Sequence, residues 1–142
     1  MRIIGLDIGD KTVGVSVSDP LGITAQGVTT IERVGIRKDC GKIIDYCDQY
    51  GAELIVAGLP LKLDGTDSPQ TEKVREFVAM LKNKLQSTAH KIEIVYQDER
   101  FTTKIAEDVL IESGVRRENR KQYVDKMAAQ IILQSYMDSH HQ

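Results

Sequence analysis

The first 18 residues constrain the fold of this chain most, because they combine strand periodicity with a strict separation of large and small side chains. Residues 2–9 and 12–18 are predicted strands joined by a tight turn at Gly9–Asp10–Lys11. Since side chains alternate between the faces of a strand, one face collects Ile4, Leu6, Ile8, Val13, Val15 and Val17. The opposite face carries Ile3, Gly5, Asp7, Gly9, Gly14, Ser16 and Ser18. Glycine weakens a strand, so the nearly bare face around Asp7 predicts the close approach of a ligand or of a packed helix, or a bulge.

The rest of the chain alternates strands with helices. Hydrophobic periodicity and turn residues predict a strand at 23–31, a helix at 35–50, a strand at 52–60, a helix after Ser68, a strand at 91–99, a helix from Thr102 or Thr103 to Gly114, and a last helix from about Arg120 to Tyr136. The first three strands form an antiparallel meander, and the later strands alternate with helices and therefore pair in parallel. We expect an α/β fold with one five-stranded mixed sheet flanked by helices, and residues 1–142 as a single domain.

Composition argues against several classes of protein. Cys40 and Cys47 lie on the apolar stripe of the helix at 35–50 and are expected to be core residues. No set of cysteines and histidines has the spacing of a zinc site. No apolar run approaches the roughly 18 residues of a membrane span, and the N-terminal segment lacks a signal peptide's cleavage region. We therefore expect a cytoplasmic protein that does not interact with membranes.

Three acidic positions stand out against their surroundings. Asp7 interrupts an apolar strand, Asp98 and Glu99 end a later strand, and Asp125 heads an apolar helix stripe that continues with Ala129. Active sites of open α/β sheets gather beyond the carboxyl ends of the parallel strands. Asp98 and Glu99 point to opposite faces, so only one of them is expected to meet Asp7, and strand periodicity does not choose between them. Each acid alone has an ordinary alternative, as an ion-pair partner, a helix cap or a residue at the edge of a packed stripe.

Taken together, the acids predict a metal centre. Three clustered carboxylates repel one another unless a cation neutralises them, and oxygen ligands without Cys or His favour Mg²⁺ or Mn²⁺. Two such ions can activate a water molecule and stabilise the leaving oxygen of a phosphodiester. The candidate ligands are Asp7, Glu99 and Asp125, with Asp98 as the alternative to Glu99.

A basic segment lies beside the last of these acids. The net charge of the chain is −2, so the molecule as a whole does not attract a polyanion. Residues 116–126 are nevertheless rich in cations that could hold a nucleic-acid backbone: Arg116, Arg117, Arg120, Lys121 and Lys126. The alternative is a solvated loop and helix end, which charge alone would favour.

Four segments, GLDIGDKTVGVSVSD, AGLPLKLDG, DERFTT and DKMAAQIIL, together resemble the YqgF family over essentially the whole chain. This family consists of small bacterial proteins of the ribonuclease H-like superfamily that are similar to Holliday-junction resolvases. The resemblance implies a ribonuclease H-like fold and a nuclease that processes the 5′ end of pre-16S ribosomal RNA. It implies catalytic, metal-binding roles for Asp7, Glu99 and Asp125, and phosphate contacts by Lys11, Arg100, Thr102 and Thr103.

Other functions stay open at this point. A Holliday-junction resolvase would act on branched DNA, and its subunits commonly pair, so the chain could be a monomer or a homodimer. The first hairpin also resembles the phosphate loop of sugar kinases and actin-like ATPases, but those proteins need two lobes. A non-catalytic factor would bind nucleic acid together with ribosome-assembly or transcription proteins. Cleavage that depends on Mg²⁺ or Mn²⁺ would distinguish a nuclease from such a non-catalytic factor.

Overall fold

A mixed sheet of five strands forms the centre of the structure, a computed structural model that describes residues 1–99 and 120–140, with only the backbone given for 120–126. The strands are β1 Arg2–Ile8, β2 Thr12–Ser18, β3 Ala25–Glu32, β4 Ala52–Leu59 and β5 Glu93–Asp98. Their order across the sheet is β3-β2-β1-β4-β5. The first three strands pair antiparallel, and β1, β4 and β5 pair in parallel. The predicted sheet is confirmed.

Helices cover both faces of the sheet. The described ones are α1 Ile36–Tyr50, α2 Pro69–Ser87 and α3 Arg120–His140. Helix α2 begins with a capping box in which the Ser68 hydroxyl accepts from the Thr71 backbone N–H, and Pro69 is its first residue. Helix α1 ends at Gly51, whose φ of 65° is left-handed. The helix predicted to end at Gly114 lies outside the described residues.

Strand β3 begins two residues later than the sequence pattern predicted, at Ala25 instead of Ile23. The reason is a turn held by the Asp19 carboxylate, which accepts hydrogen bonds from the backbone N–H groups of Ile23 at 2.6 Å and Thr24 at 3.0 Å. Those bonds draw residues 23 and 24 into the connection between β2 and β3.

Two hydrophobic clusters lie on opposite faces of the sheet. The larger joins the face of Ile4, Leu6 and Ile8 to helices α1 and α2. Cys40 and Cys47 are buried in it, as predicted, and burial raises the pKa of their thiols to about 11 and about 12. The smaller cluster packs α3 onto the other face and contains Ile3, Leu54, Val56, Ile132, Leu133 and Met137. In the part of the chain that the structure describes, no helix is long and apolar enough to cross a membrane.

Helix α3 accounts for most of the nearly bare face of the hairpin. A Cβ atom on Gly5 would lie 2.7 Å from Leu133 Cβ and 3.1 Å from the Ala129 carbonyl oxygen, and it would also meet the Ser16 hydroxyl. That hydroxyl donates a 2.7 Å hydrogen bond to the same Ala129 carbonyl. Of the explanations that the sequence left open, a packed helix is correct for this part of the face.

This packing predicts that Gly5→Ala destabilises the protein. The added methyl group has no space against Leu133, and overpacking of this kind costs about 1–3 kcal/mol in free energy of unfolding. Urea unfolding of the metal-free protein measures it. Gly41→Ala is the control, because its methyl group would meet only the flexible end of Lys84 and alanine favours a helix by roughly 0.5–1 kcal/mol over glycine. An unchanged or increased stability of Gly5→Ala would contradict the close helix contact.

Candidate active site

Asp7 lies near the carboxyl end of the central strand β1. It pairs with Gly14 of β2 across the antiparallel ladder, and its side chain is half-buried. Because side chains alternate along the strand, Asp7 shares the face of Ile3 and Gly5, which is the face that α3 covers. The carboxylate therefore lies at the carboxyl end of the strand, on the face against which α3 packs.

Glu99 follows directly after β5 and is held in line with it. Its backbone N–H donates a 3.2 Å hydrogen bond to the Leu59 carbonyl, which continues the β4–β5 pairing by one residue. The alternation of β5 is thereby extended, and Glu99 shares the face of Val95, which packs in the α3 cluster. Asp98, one residue earlier, is exposed and belongs to the face of Ile94 and Tyr96.

Gly58 makes room for the Glu99 carboxyl group above β4. A Cβ atom on Gly58 would lie 2.5 Å from Ile132 Cδ1 of α3, 2.8 Å from Glu99 Oε2 and 2.9 Å from Glu99 Cδ, so the glycine admits both side chains. Strand β4 separates β1 from β5, and neighbouring strands lie about 4.8 Å apart, so a side chain from β5 must cross β4 to reach β1. The absence of a side chain at position 58 opens that path toward Asp7.

The carboxyl groups of Asp7 and Glu99 interact directly. Burial, then the charge of Asp7 and a side-chain hydrogen bond with it, and finally the charge of Asp98 raise the pKa of Glu99 from 4.5 to about 9. At neutral pH and without a cation, Glu99 is therefore protonated and shares its proton with Asp7. A pair of this kind is costly to ionise, because a second negative charge would sit beside the first with little water to screen it.

Two of the candidate acids have described side chains that the structure brings together. It unites Asp7 with Glu99, while Asp98 adds only the weakest of the influences on the Glu99 pKa. The third candidate, Asp125, lies in α3, where only the backbone is described. Among the described residues, no group of three His, Cys, Asp or Glu side chains is arranged to hold a metal ion.

The predicted phosphate contacts are placed only in part. Lys11 is exposed in the turn between β1 and β2. Five of the predicted contacts lie outside the described residues: Arg100, Thr102, Thr103, Arg116 and Arg117. Three more lie in the part of α3 for which only the backbone is described: Arg120, Lys121 and Lys126. Their roles stay predictions.

The donor chemistry of the pair suits a hard divalent cation. Both groups offer carboxylate oxygens, the ligands that Mg²⁺ and Mn²⁺ prefer. The proton that Glu99 shares with Asp7 lies between the two carboxyl groups, where a cation could bind instead. Without that proton, both groups are anionic and both can act as ligands. The role of Gly58 was not predicted from the sequence, although a glycine inside a buried apolar strand is itself a signal of close approach.

The sequence matches those of known proteins over nearly its whole length. Residues 1–139 match the family model described as RuvX: Holliday junction resolvase. A protein of Clostridium tetani is 50% identical over 139 residues, covering 98% of this chain and 97% of its own length. One of Clostridium novyi is 48% identical over 139 residues, covering 98% and 99%. Both relatives bear the name "Putative pre-16S rRNA nuclease".

Two solved structures share the fold at low sequence identity. The T. thermophilus RuvC structure in complex with Holliday junction substrate aligns with a TM-score of 0.61 at 11% identity, covering 98% of this chain and 94% of that one. The fowlpox virus resolvase with its substrate Holliday junction DNA aligns with a TM-score of 0.59 at 18% identity over 100% of both chains. These likenesses confirm the ribonuclease H-like fold that the sequence resemblance implied.

The raised pKa of Glu99 predicts that the metal-free protein loses stability as pH rises. Between pH 4.5 and about 9 the folded state keeps a proton that the unfolded state releases, so the free energy of unfolding falls with pH across this window. Glu99→Gln keeps a neutral hydrogen-bonding group and removes the titration, so its pH dependence is expected to be flatter.

Urea unfolding in EDTA at about pH 5.5 and about pH 8 measures the difference. Glu93→Gln is the matched control, because it removes an exposed carboxylate from the start of the same strand and should keep the wild-type slope. If Glu99→Gln also keeps the wild-type slope, Glu99 does not hold the proton.

Proposed function

The chain belongs to the RuvX family, described as Holliday junction resolvase, and we propose that it is a divalent-metal-dependent endonuclease. The reaction is hydrolysis of a phosphodiester bond: water attacks phosphorus, one phosphorus–oxygen bond breaks, and the leaving oxygen takes a proton. The observation that carries the proposal is the contact between the Asp7 and Glu99 carboxyl groups across Gly58.

The acid pair supports a catalytic centre more strongly than a binding surface. A pair of partly buried carboxyl groups in contact is unfavourable to the fold, and it would repel a phosphate backbone. A module that only binds nucleic acid gains nothing from such a pair. An enzyme that must hold a cation against a phosphodiester needs it.

The packing of α3 supports Asp125 as the third acid. Met137 clusters with Ile3, and Leu133 and Ala129 lie against Gly5, so α3 runs opposite to β1. Four residues of helix rise about 6 Å and two residues of strand about 6.6 Å. One further turn from Ala129 toward the start of the helix therefore carries the backbone of position 125 toward the level of Asp7.

In the proposed site, Asp7, Glu99 and Asp125 would hold a pair of Mg²⁺ or Mn²⁺ ions. The bound ions would supply an activated water molecule and neutralise charge on the leaving oxygen. Glu99 would bind a cation as the carboxylate, and Gly58 leaves room for that group to turn toward Asp7. Asp98, on the opposite face, is not a ligand.

Cations around this centre would hold the substrate backbone. Lys11 extends from the turn that follows β1, close in sequence to Asp7. The further phosphate contacts that we propose are Arg100, Thr102, Thr103, Arg116, Arg117, Arg120, Lys121 and Lys126. Because each contact displaces counterions, binding should weaken steeply with salt.

Precursor 16S ribosomal RNA is the substrate that we favour. The name shared by relatives with about half of their residues identical supports it. Branched DNA is the second candidate, and the description of the matching family supports that one. In either case we propose a cytoplasmic, single-domain enzyme that works as a monomer or homodimer, with ribosome-assembly or transcription proteins as possible partners for the RNA reaction.

We expect Asp7→Asn to abolish cleavage while the fold and nucleic-acid binding are retained. The amide has nearly the shape of the carboxylate and keeps its contact with Glu99, but it is a poor ligand for a hard cation. Cleavage of a pre-16S RNA fragment and of a four-way DNA junction, each with Mg²⁺ or Mn²⁺, measures the loss. An Asp7→Asn protein that cleaves at the wild-type rate would refute the assigned role.

Two controls accompany this assay. Asp125→Asn should lower cleavage by a factor of about 100 or more, as expected for a ligand carboxylate, and a contaminating nuclease would ignore the substitution. Asp98→Asn should leave cleavage within about threefold, because it changes only a neighbouring charge. Equal losses in Asp98→Asn and Asp125→Asn would contradict the proposed ligand set.

A further inference from the structure

An ion pair between a partly buried arginine and a buried aspartate lies behind the turn that connects β1 to β2. The Arg33 Nε atom donates to Asp39 Oδ2 at 3.1 Å, and the Asp39 side chain is 1% exposed. The other Asp39 oxygen accepts from the Val34 backbone N–H at 3.1 Å. Asp39 belongs to the first turn of α1, where the helix dipole favours a carboxylate. Arg33 is thereby anchored to the start of a helix that forms part of the larger core.

Arg33 holds the turn at two points. Its Nη1 atom donates to the Gly9 carbonyl at 3.0 Å, and its backbone N–H donates to the Lys11 carbonyl at 2.8 Å. The guanidinium group also lies over the ring of the buried Phe77, 5.1 Å from its centroid. The Arg33 side chain therefore ties the Gly9 carbonyl to the helical layer behind the sheet, while the Lys11 carbonyl is held by the main chain that directly follows β3.

Stability alone is a weak reason for such a pair. Desolvation of two charges offsets most of their attraction, and replacing a buried pair by apolar residues of similar volume is often neutral or stabilising. What an apolar pair could not do is bond the Gly9 carbonyl. The turn that Arg33 secures begins two residues after Asp7 and carries Lys11.

We propose that Arg33 is a positioning residue for nucleic-acid binding: held by Asp39, it fixes the Gly9–Lys11 turn so that Lys11 meets a backbone phosphate beside the acid pair. The inference rests on the proposed function, because it takes the phosphate to belong to the nuclease substrate. A turn that is already ordered spares the complex the cost of immobilising its backbone on binding.

A second arginine in the same structure provides a matched control. Arg75 also pairs with an aspartate, Asp67, at 3.1 Å, and it also lies over an aromatic ring, that of Tyr96. This pair is largely exposed, with 44% of each side chain accessible, and its two hydrogen bonds join Arg75 to Asp67 and not to the hairpin turn. Arg75→Lys and Arg33→Lys make the same chemical change in these two settings.

The test is the salt dependence of binding, measured by fluorescence anisotropy with a labelled pre-16S RNA fragment and a labelled four-way DNA junction in EDTA. Lys11→Met should weaken binding about tenfold and reduce the slope of log affinity against log salt by about 1. Arg33→Lys keeps the charge but cannot hold Asp39 and Gly9 together. Arg33→Lys should therefore also make affinity less dependent on salt, as Lys11→Met does. The double variant should bind no worse than Lys11→Met alone.

These outcomes separate positioning from general damage. A merely destabilised protein would lose active fraction, which lowers the binding stoichiometry and leaves the salt slope unchanged. An unchanged slope in Arg33→Lys, losses that multiply in the double variant, an equal effect of Arg75→Lys, or a wild type that binds neither probe would each overturn the proposal. The proposed nuclease function is judged separately, by cleavage with Mg²⁺ or Mn²⁺, which this binding assay excludes.

Discussion

Two carboxyl groups from strands that are not neighbours meet above a glycine, and the functional account of this protein depends on that contact. Strand β4 lies between Asp7 and Glu99, and at position 58 it offers no side chain to keep them apart. Burial first, and then the charge of Asp7 on β1, raise the pKa of Glu99, the acid that follows β5, and so favour its protonated form. A site built in this way is unfavourable as it stands, and a divalent cation is the simplest group that would relieve it.

One face of the sheet packs against α3 and also carries the candidate active site, at the carboxyl ends of its parallel strands. Near Gly5 the small residues admit α3, whose Ala129 carbonyl takes a hydrogen bond from Ser16. Toward the carboxyl ends of the parallel strands the same face carries Asp7, Gly58 and Glu99, and Ile132 of α3 also packs over Gly58. Behind the hairpin, the opposite layer contributes Arg33, which holds the turn between β1 and β2. The position of the site thus follows from where α3 packs and where the strands end.

Much of this could be predicted from the sequence, and the limits have physical causes. Alternation gave the two faces of the hairpin, and helical periodicity placed Cys40 in the core, because both patterns are local. Local patterns could not predict whether Asp98 or Glu99 faces Asp7. That depends on one further backbone hydrogen bond, from Glu99 to Leu59, which extends the pairing of β4 with β5. The Arg33–Asp39 pair was missed because neither residue marks a periodic pattern.

The most direct test of the central claim is anomalous X-ray diffraction from crystals of the protein grown with Mn²⁺. The account predicts an anomalous peak bonded to carboxylate oxygens of both Asp7 and Glu99, with the Glu99 side chain lying above Gly58. A peak elsewhere, or a structure in which the two carboxylates point into separate solvent regions and share no ion, would contradict it.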